Sequence, residues 1–206
     1  TKYDIQESFG INSERIVVQL QPPPPLFLKQ NNYSRNDKTI LFVSTLEPRK
    51  NIESLILAFK LFSKKHSDFK LRLIGKETAW SRKILRPAQN IEIMGYLPAE
   101  ELEKNYRDAW CLVYPSWLEG YGLPPLESMA HGVPAIVSNN SGMVEAVQDG
   151  AILIDPYRGA EEISAALEQL AESESLYSRY SNLGYERVQK LNHEFNLKYL
   201  DDLWKK

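Results

Sequence analysis

Short apolar runs, each closed by glycine, proline or polar residues, recur between residues 40 and 154. Ile40-Leu-Phe-Val43, Leu71-Arg-Leu-Ile74, Ile91-Glu-Ile-Met94, Cys111-Leu-Val-Tyr114, Ala135-Ile-Val137 and Ala151-Ile-Leu-Ile154 have the length and composition of strands. The residues between them follow a longer period. After Asn51, a residue suited to capping, Ile52, Leu55, Ile56, Phe59 and Phe62 share one helical face. Residues 98–108 place Leu102 and Tyr106 together, residues 161–171 do the same for Ile163, Ala166, Leu167 and Leu170, and residues 176–191 predict another helix. Strands alternating with helices predict a doubly wound α/β fold, in which a parallel sheet is covered on both faces.

The start of the chain lacks this rhythm. Residues 3–9 predict a helix, Gly10 a turn, and residues 15–20 a short strand. Pro22 to Pro25 follow, and consecutive prolines favour a stiff extended linker. The predicted division is residues 1–38, the tail of a preceding domain with a Pro-rich linker, and residues 39–206, one α/β domain. About twenty leading residues are too few to bury a core, so they are expected to pack on a larger unit.

Composition narrows the function. The 206 residues are 43% hydrophobic and 25% charged, an ordinary globular balance. A net charge of −2 offers no field for nucleic acid. The single cysteine, Cys111, rules out an intramolecular disulfide and a cysteine-built zinc site. No apolar run nears the ~20 residues that span a bilayer, and the first residues carry no signal core. A cytoplasmic location is therefore expected, at most peripheral to the inner face of a membrane. The amphipathic stretch 195–204 carries Asp201 and Asp202, which disfavour anionic lipid.

In doubly wound sheets ligands bind beyond the carboxyl ends of the strands. After Cys111–Tyr114 comes Pro115-Ser-Trp-Leu-Glu119-Gly-Tyr-Gly-Leu-Pro-Pro-Leu-Glu127. Gly120 and Gly122 allow close backbone approach. Pro124 and Pro125 suit a first helical turn, so a helix is predicted from about Leu123, its amino end an anion seat. Glu119 precedes the turn and Glu127 lies about one turn inside the helix. Carboxylates beside a phosphate seat suit hydroxyl pairs, such as a sugar or ribose diol. On spacing alone, a surface loop with a dipole-favoured glutamate is an equal reading. No histidine or aspartate is placed to complete a metal site.

This segment resembles the Glu-x7-Glu motif of retaining glycosyltransferases of family 4, which have the GT-B fold of two Rossmann-like domains. Met94-Gly-Tyr-Leu-Pro98, Tyr114-Pro-Ser116, Met129-Ala-His-Gly-Val-Pro134, Ser141-Gly-Met-Val-Glu145 and Ile154-Asp-Pro156 resemble further family loops in the same order. The resemblance spans residues 39–206 and implies the carboxy-terminal, donor-binding half of that fold. It implies that Glu119 binds donor-sugar hydroxyls near the transferred carbon and Glu127 the nucleotide ribose. The amides around Gly122 and Leu123 then face the diphosphate, and Gly120, Tyr121 and Ser116 are further donor-binding residues of the same loop. Gly75 borders the nucleotide pocket, and Tyr96 and Leu97 lie beside the base.

Ser44-Thr-Leu-Glu-Pro-Arg49-Lys50-Asn51 supplies cations on the same edge. Fixed positive charge there stabilises a diphosphate leaving group as its bond breaks. The family carries Gly-Arg early in this loop and a lysine five residues after the arginine. Lys50 matches the lysine, whereas Ser44-Thr45 stands in place of Gly-Arg, so Arg49 is assigned the missing charge. The variant is similar to mannosyl- and related transferases, which makes a GDP-linked sugar the first expectation for the donor and a UDP-linked sugar the second. The resemblance implies no metal or other cofactor.

A GT-B enzyme places its acceptor site on the amino-terminal domain, in cis or in a partner chain. The implied acceptor is a glycan or lipid-linked sugar, and this chain alone is expected to bind donor but transfer poorly. The last helix, about 194–206, is expected to cross back onto that domain. Two alternatives stand beside this reading: a non-catalytic nucleotide-sugar-binding module, and an epimerase or phosphorylase on the same fold. Among the remaining residues, His131 reads as a helix cap, His66 and His193 as solvated surface, and Cys111 as core. Trp80, Trp110 and Trp117 read as packing or an acceptor groove. For Glu145 structural and donor roles are equal.

Overall fold

The computed structural model describes residues 2–18, 21, 24–25 and 38–194. Most of the Pro-rich stretch and the crossover helix expected after residue 194 lie outside the described residues. The chain divides into two compact units, the larger being Pro23–Glu194.

In the smaller unit, α1 (Lys2–Phe9) forms as expected, but the strand expected over 15–20 does not extend through its described part. Ser13–Arg15 make a single 3-10 turn, and Asn12 Oδ1 accepts from the Glu14 N–H at 3.0 Å. Val17 and Val18 are half exposed, and residues 16–18 join no sheet, so no ladder fixes them as a strand.

In the larger unit the apolar runs become β1 (Thr39–Val43), β2 (Lys70–Ile74), β3 (Ile91–Gly95), β4 (Cys111–Tyr114), β5 (Ala135–Ser138) and β6 (Ile152–Ile154). They pair in parallel in the order β3-β2-β1-β4-β5-β6. The central β1, β4 and β5 are buried along their whole length, which is why their sequences are continuous rather than alternating. Toward the β3 edge polar residues enter. Arg72 of β2 sits opposite Glu92 of β3, donates to it at 2.7 Å and reaches Asn105 at 2.7 Å.

Helices α2 (Ile52–Phe62), α3 (Ala79–Ile84), α4 (Ala99–Asp108), α5 (Leu123–Ala130), α6 (Ser141–Val147), α7 (Gly159–Glu172) and α8 (Glu174–Glu194) cover the sheet. α2 packs on α7, and α5 packs on α8. The short α3 and α6 are additions to the helices predicted from periodicity. Asn51 holds the N-cap position of α2 as expected, but without the side-chain bond expected of a capping residue. It closes a 3-10 turn, Pro48–Lys50, in the left-handed region (φ 55°, ψ 36°). His66 is a correction too. Its ring stacks on Phe62 with centroids 4.3 Å apart and its Nε2 lies 3.4 Å from Glu168, because Phe62 precedes it by one helical turn. Cys111 is fully buried and Trp110 lies in the core, as expected of packing residues. Among the described residues no helix is long and apolar enough to cross a membrane.

Strand order reverses between β1 and β4, so the loops leaving those two strands lie side by side at the switch point of the sheet. The loop after β2 flanks them on one side. Ser44 donates its N–H to Ile74 O at 2.9 Å and Gly75 donates to Gly95 O at 2.7 Å. Gly75 has φ +144°, and a Cβ there would collide with the Ser44 carbonyl, so only glycine allows this approach.

Candidate functional site

The loop after β1 runs beside β2 as far as Leu46, whose N–H donates to Lys76 O at 2.9 Å. It then turns through Pro48–Lys50 and carries Lys50 inward to only 5% exposure. The loop after β4 crosses over it. Trp117 donates its N–H to Arg49 O at 3.0 Å, and Arg49 Nη1 donates back to Leu118 O at 2.8 Å. Behind this second loop, Asn140 Nδ2 donates to Trp117 O at 2.7 Å and Gly142 N–H approaches Glu119 O at 3.4 Å. A Cβ on Gly142 would collide with the Gly120 carbonyl, so a glycine lets the start of α6 lie against this loop.

These contacts bring Arg49, Lys50 and Glu119 to one point. Lys50 Nζ donates to Glu119 Oε1 at 2.6 Å and to the Tyr114 hydroxyl at 2.9 Å. Arg49 Nη1 lies 3.3 Å from the same carboxylate oxygen, and Nη2 donates to Glu47 at 2.7 Å. The Lys50 ammonium also sits 5.2 Å from the Tyr114 ring centre. Burial works against the charge on Arg49, but the Glu119 and Glu47 carboxylates outweigh it and raise the guanidinium pKa. Two cations and a carboxylate therefore meet at the switch point of the sheet.

Glu127 occupies a separate position on α5. The Tyr106 hydroxyl donates to its Oε2 at 2.6 Å. Burial, then the adjacent Glu127 charge, push the Tyr106 phenol well above its ordinary pKa, so it remains a donor. Gly122 caps α5 with φ 97° and Leu123 is its first residue. Pro124 and Pro125 have no N–H, so the amides of Gly122 and Leu123 are those this turn can offer an anion.

The other candidates spread along the same sheet edge. Gly120 is exposed, and Tyr121 is partly buried with its hydroxyl unpaired. Ser116 is fully buried and its Oγ lacks a hydrogen-bond partner. Tyr96 is 82% exposed, which removes the packing alternative for it, whereas Leu97 packs partly on the core. Trp117 is partly exposed and tilted on Tyr157 with centroids 5.2 Å apart, while Trp80 packs against the core. His131 closes α5, its Nδ1 2.8 Å from Glu127 O. The Glu145 side chain is exposed, and its carbonyl accepts from Arg187 at 3.1 Å. Among the described residues no cluster of three His, Cys, Asp or Glu could hold a metal ion. Tyr106 and Tyr114 escaped the sequence reading as polar partners because both lie on apolar faces.

The fold is a Rossmann-like half with two cations and a carboxylate at its switch point, the place where doubly wound sheets hold their ligands. The chain belongs to the glycosyl transferases group 1 family, whose model matches residues 26–187. It is 34% identical over 142 residues to O-antigen chain mannosyltransferase B of Escherichia coli, covering 66% of this chain and 37% of that protein. It is 28% identical over 187 residues to the O-antigen chain mannosyltransferase RfbU of Salmonella typhimurium, covering 87% and 52%. The chain thus spans about a third to a half of these relatives. Among solved structures, the C-terminal domain of the group 1 glycosyl transferase LpcC from Francisella tularensis superposes with a TM-score of 0.70 at 22% identity, over 80% of this chain and 95% of that one. A TarM mutant from S. aureus, in complex with Fondaparinux, alpha-GlcNAc-glycerol and UDP, gives 0.76 at 19%, over 98% and 41%. These likenesses show the fold: the carboxy-terminal Rossmann-like half of a GT-B protein.

Proposed function

We propose that this chain is the donor half of a retaining hexosyltransferase that takes a sugar from a nucleotide-diphosphate donor, GDP-mannose first, to a hydroxyl of a glycan or lipid-linked sugar. The observation that carries the reading is the meeting of Arg49, Lys50 and Glu119 at the β1–β4 switch point. Similarity to two mannosyltransferases supports the choice of sugar.

In this mechanism the diphosphate lies against Arg49, Lys50 and the amides of Gly122 and Leu123. Gly120 and Tyr121 shape the turn that admits it, with Ser116 beneath. As the bond from the anomeric carbon to the phosphate oxygen breaks, its electron pair moves to that oxygen. The added charge is met by cations already held in place, Lys50 out of water and Arg49 at the exposed rim, which favours the transition state over the ground state. Arg49 suits two phosphate oxygens with its planar fork, and Lys50 acts as a point charge. Glu119 accepts from sugar hydroxyls and holds the ring against the leaving group. Glu127 accepts from the ribose diol, and Gly75, Tyr96 and Leu97 border the base. The acceptor hydroxyl attacks from the face the diphosphate leaves and passes its proton to the departing oxygen. These side chains and amides neutralise the diphosphate without a metal ion. The acceptor site belongs to an amino-terminal domain, in cis or in a partner chain.

The experiment is a titration of this chain with GDP, UDP, ADP and their sugars by calorimetry and thermal shift, since a ligand that binds the folded state raises its melting point. GDP-mannose should give the largest shift, and Glu119→Ala should lower the preference for the sugar nucleotide over the bare diphosphate. Absence of binding by every nucleotide would refute the donor reading. Turnover should require the amino-terminal domain, and full activity of this chain alone would overturn the split.

A further inference from the structure

Glu127 is held by a pair of aromatic rings that the proposed chemistry does not use. Tyr106, in the last turns of α4, is 3% exposed and its hydroxyl donates to Glu127 Oε2 at 2.6 Å. Its ring stacks on His131, with centroids 5.8 Å apart and planes 18° from parallel. His131 follows α5, and its Nδ1 lies 2.8 Å from the carbonyl of Glu127 itself. A carbonyl only accepts, so Nδ1 carries the proton and the ring is locked in one tautomer. Glu127 is thus gripped at both its side chain and its backbone by two rings that brace each other.

We propose that Tyr106 is the positioning residue for Glu127: its hydroxyl holds one carboxylate oxygen so that the other presents to the ribose diol. The inference rests on the ribose role proposed for Glu127. The physical reason is entropic as much as electrostatic. A glutamate on a helix surface samples several rotamers, and ordering it on ligand binding weakens affinity. The Tyr106 bond imposes that order beforehand. The arrangement also uses up one acceptor on a donor buried in the protein, so the direction of the other oxygen is fixed. α4 thereby takes part in ribose recognition without touching the nucleotide.

The test compares GDP and UDP with their 2′,3′-dideoxy forms, titrated into this chain and its variants by calorimetry. Tyr106→Phe keeps the ring on His131 and removes one oxygen. It should weaken binding of the ribonucleotide about fivefold and leave the dideoxy form unchanged. Glu127→Ala should erase the difference between the two forms, and the double variant should bind no worse than Glu127→Ala alone. Melting curves without ligand show whether Tyr106→Phe is folded. Equal weakening of both nucleotide forms by Tyr106→Phe, or none in either, would overturn the positioning role while the ribose role stands. If Glu127→Ala keeps the ribose preference intact, or no nucleotide binds, the ribose role fails and this inference falls with it.

Discussion

Lys50 Nζ lies 2.6 Å from Glu119 Oε1, and the two side chains are 6% and 11% exposed. A pair so far out of water is costly to break, because the survivor keeps its charge without its partner. The two sides are unequal. Without Lys50, Glu119 still has Arg49 at 3.3 Å; without Glu119, Lys50 keeps only the neutral Tyr114 hydroxyl among these groups. Glu119→Gln should therefore destabilise by about 3 kcal/mol and Lys50→Met by about 2 kcal/mol, with the double variant near the Lys50→Met value. Urea unfolding of the four proteins gives the cycle, and strict additivity would show that the pair is not coupled.

Arg49 makes the opposite case. Its side chain is 47% exposed and shares itself between Glu47, Glu119 and a backbone carbonyl. Exposed ion pairs contribute little, so Arg49→Ala should change stability by under about 1 kcal/mol. If it faces the diphosphate, the same substitution should weaken GDP about tenfold and guanosine hardly at all. The loss should shrink as salt rises. Calorimetry at two salt concentrations checks both points.

Gly75 is a test of the scaffold rather than of the chemistry. Gly75→Ala combines an unfavourable φ with a collision against the Ser44 carbonyl, which is backbone and cannot swing aside. A loss of about 3 kcal/mol, near 10 °C in melting temperature, is expected. Gly120→Ala meets nothing within 4 Å and should melt like the parent protein. A Gly75→Ala protein as stable as the parent would mean the two loops do not lie this close.

The sheet could be read from sequence because each buried strand is a continuous apolar run, and β1 and β4 show that signal in its strongest form. The two short helices could not. α3 starts with Thr78 and Ser81 exchanging capping hydrogen bonds, and serine at that third position is a weaker signal than glutamate or glutamine. α6 has seven residues with Gly142 among them, too short to show a period. His66 misled because Lys64, Lys65 and Asp68 surround it in sequence, while the stacking on Phe62 one turn earlier decides its environment. At the candidate site, motifs named Arg49, Lys50, Glu119 and Glu127 one at a time. That Lys50 and Glu119 pair directly is a tertiary fact across 69 residues. The bond from Tyr106 to Glu127 was hidden for a different reason: a buried tyrosine at a helical core position looks like any other apolar ring.

His131 links this arrangement to pH. Burial, with Arg107 adding to it, lowers its pKa below the ordinary 6.5, outweighing the bond to Glu127 O and the attraction of Glu103. In the unfolded chain the ring binds a proton near that ordinary value, while in the folded chain it resists until lower pH. Between the two values the unfolded state holds more protons, so stability rises with pH across that interval. The contribution is complete above 6.5 and is lost as pH falls toward the folded pKa. His131→Gln should flatten this part of the stability curve while leaving the rest of the acid limb in place. Urea unfolding from pH 5 to pH 8 measures it, and an unchanged slope in the variant would show that His131 titrates alike in both states.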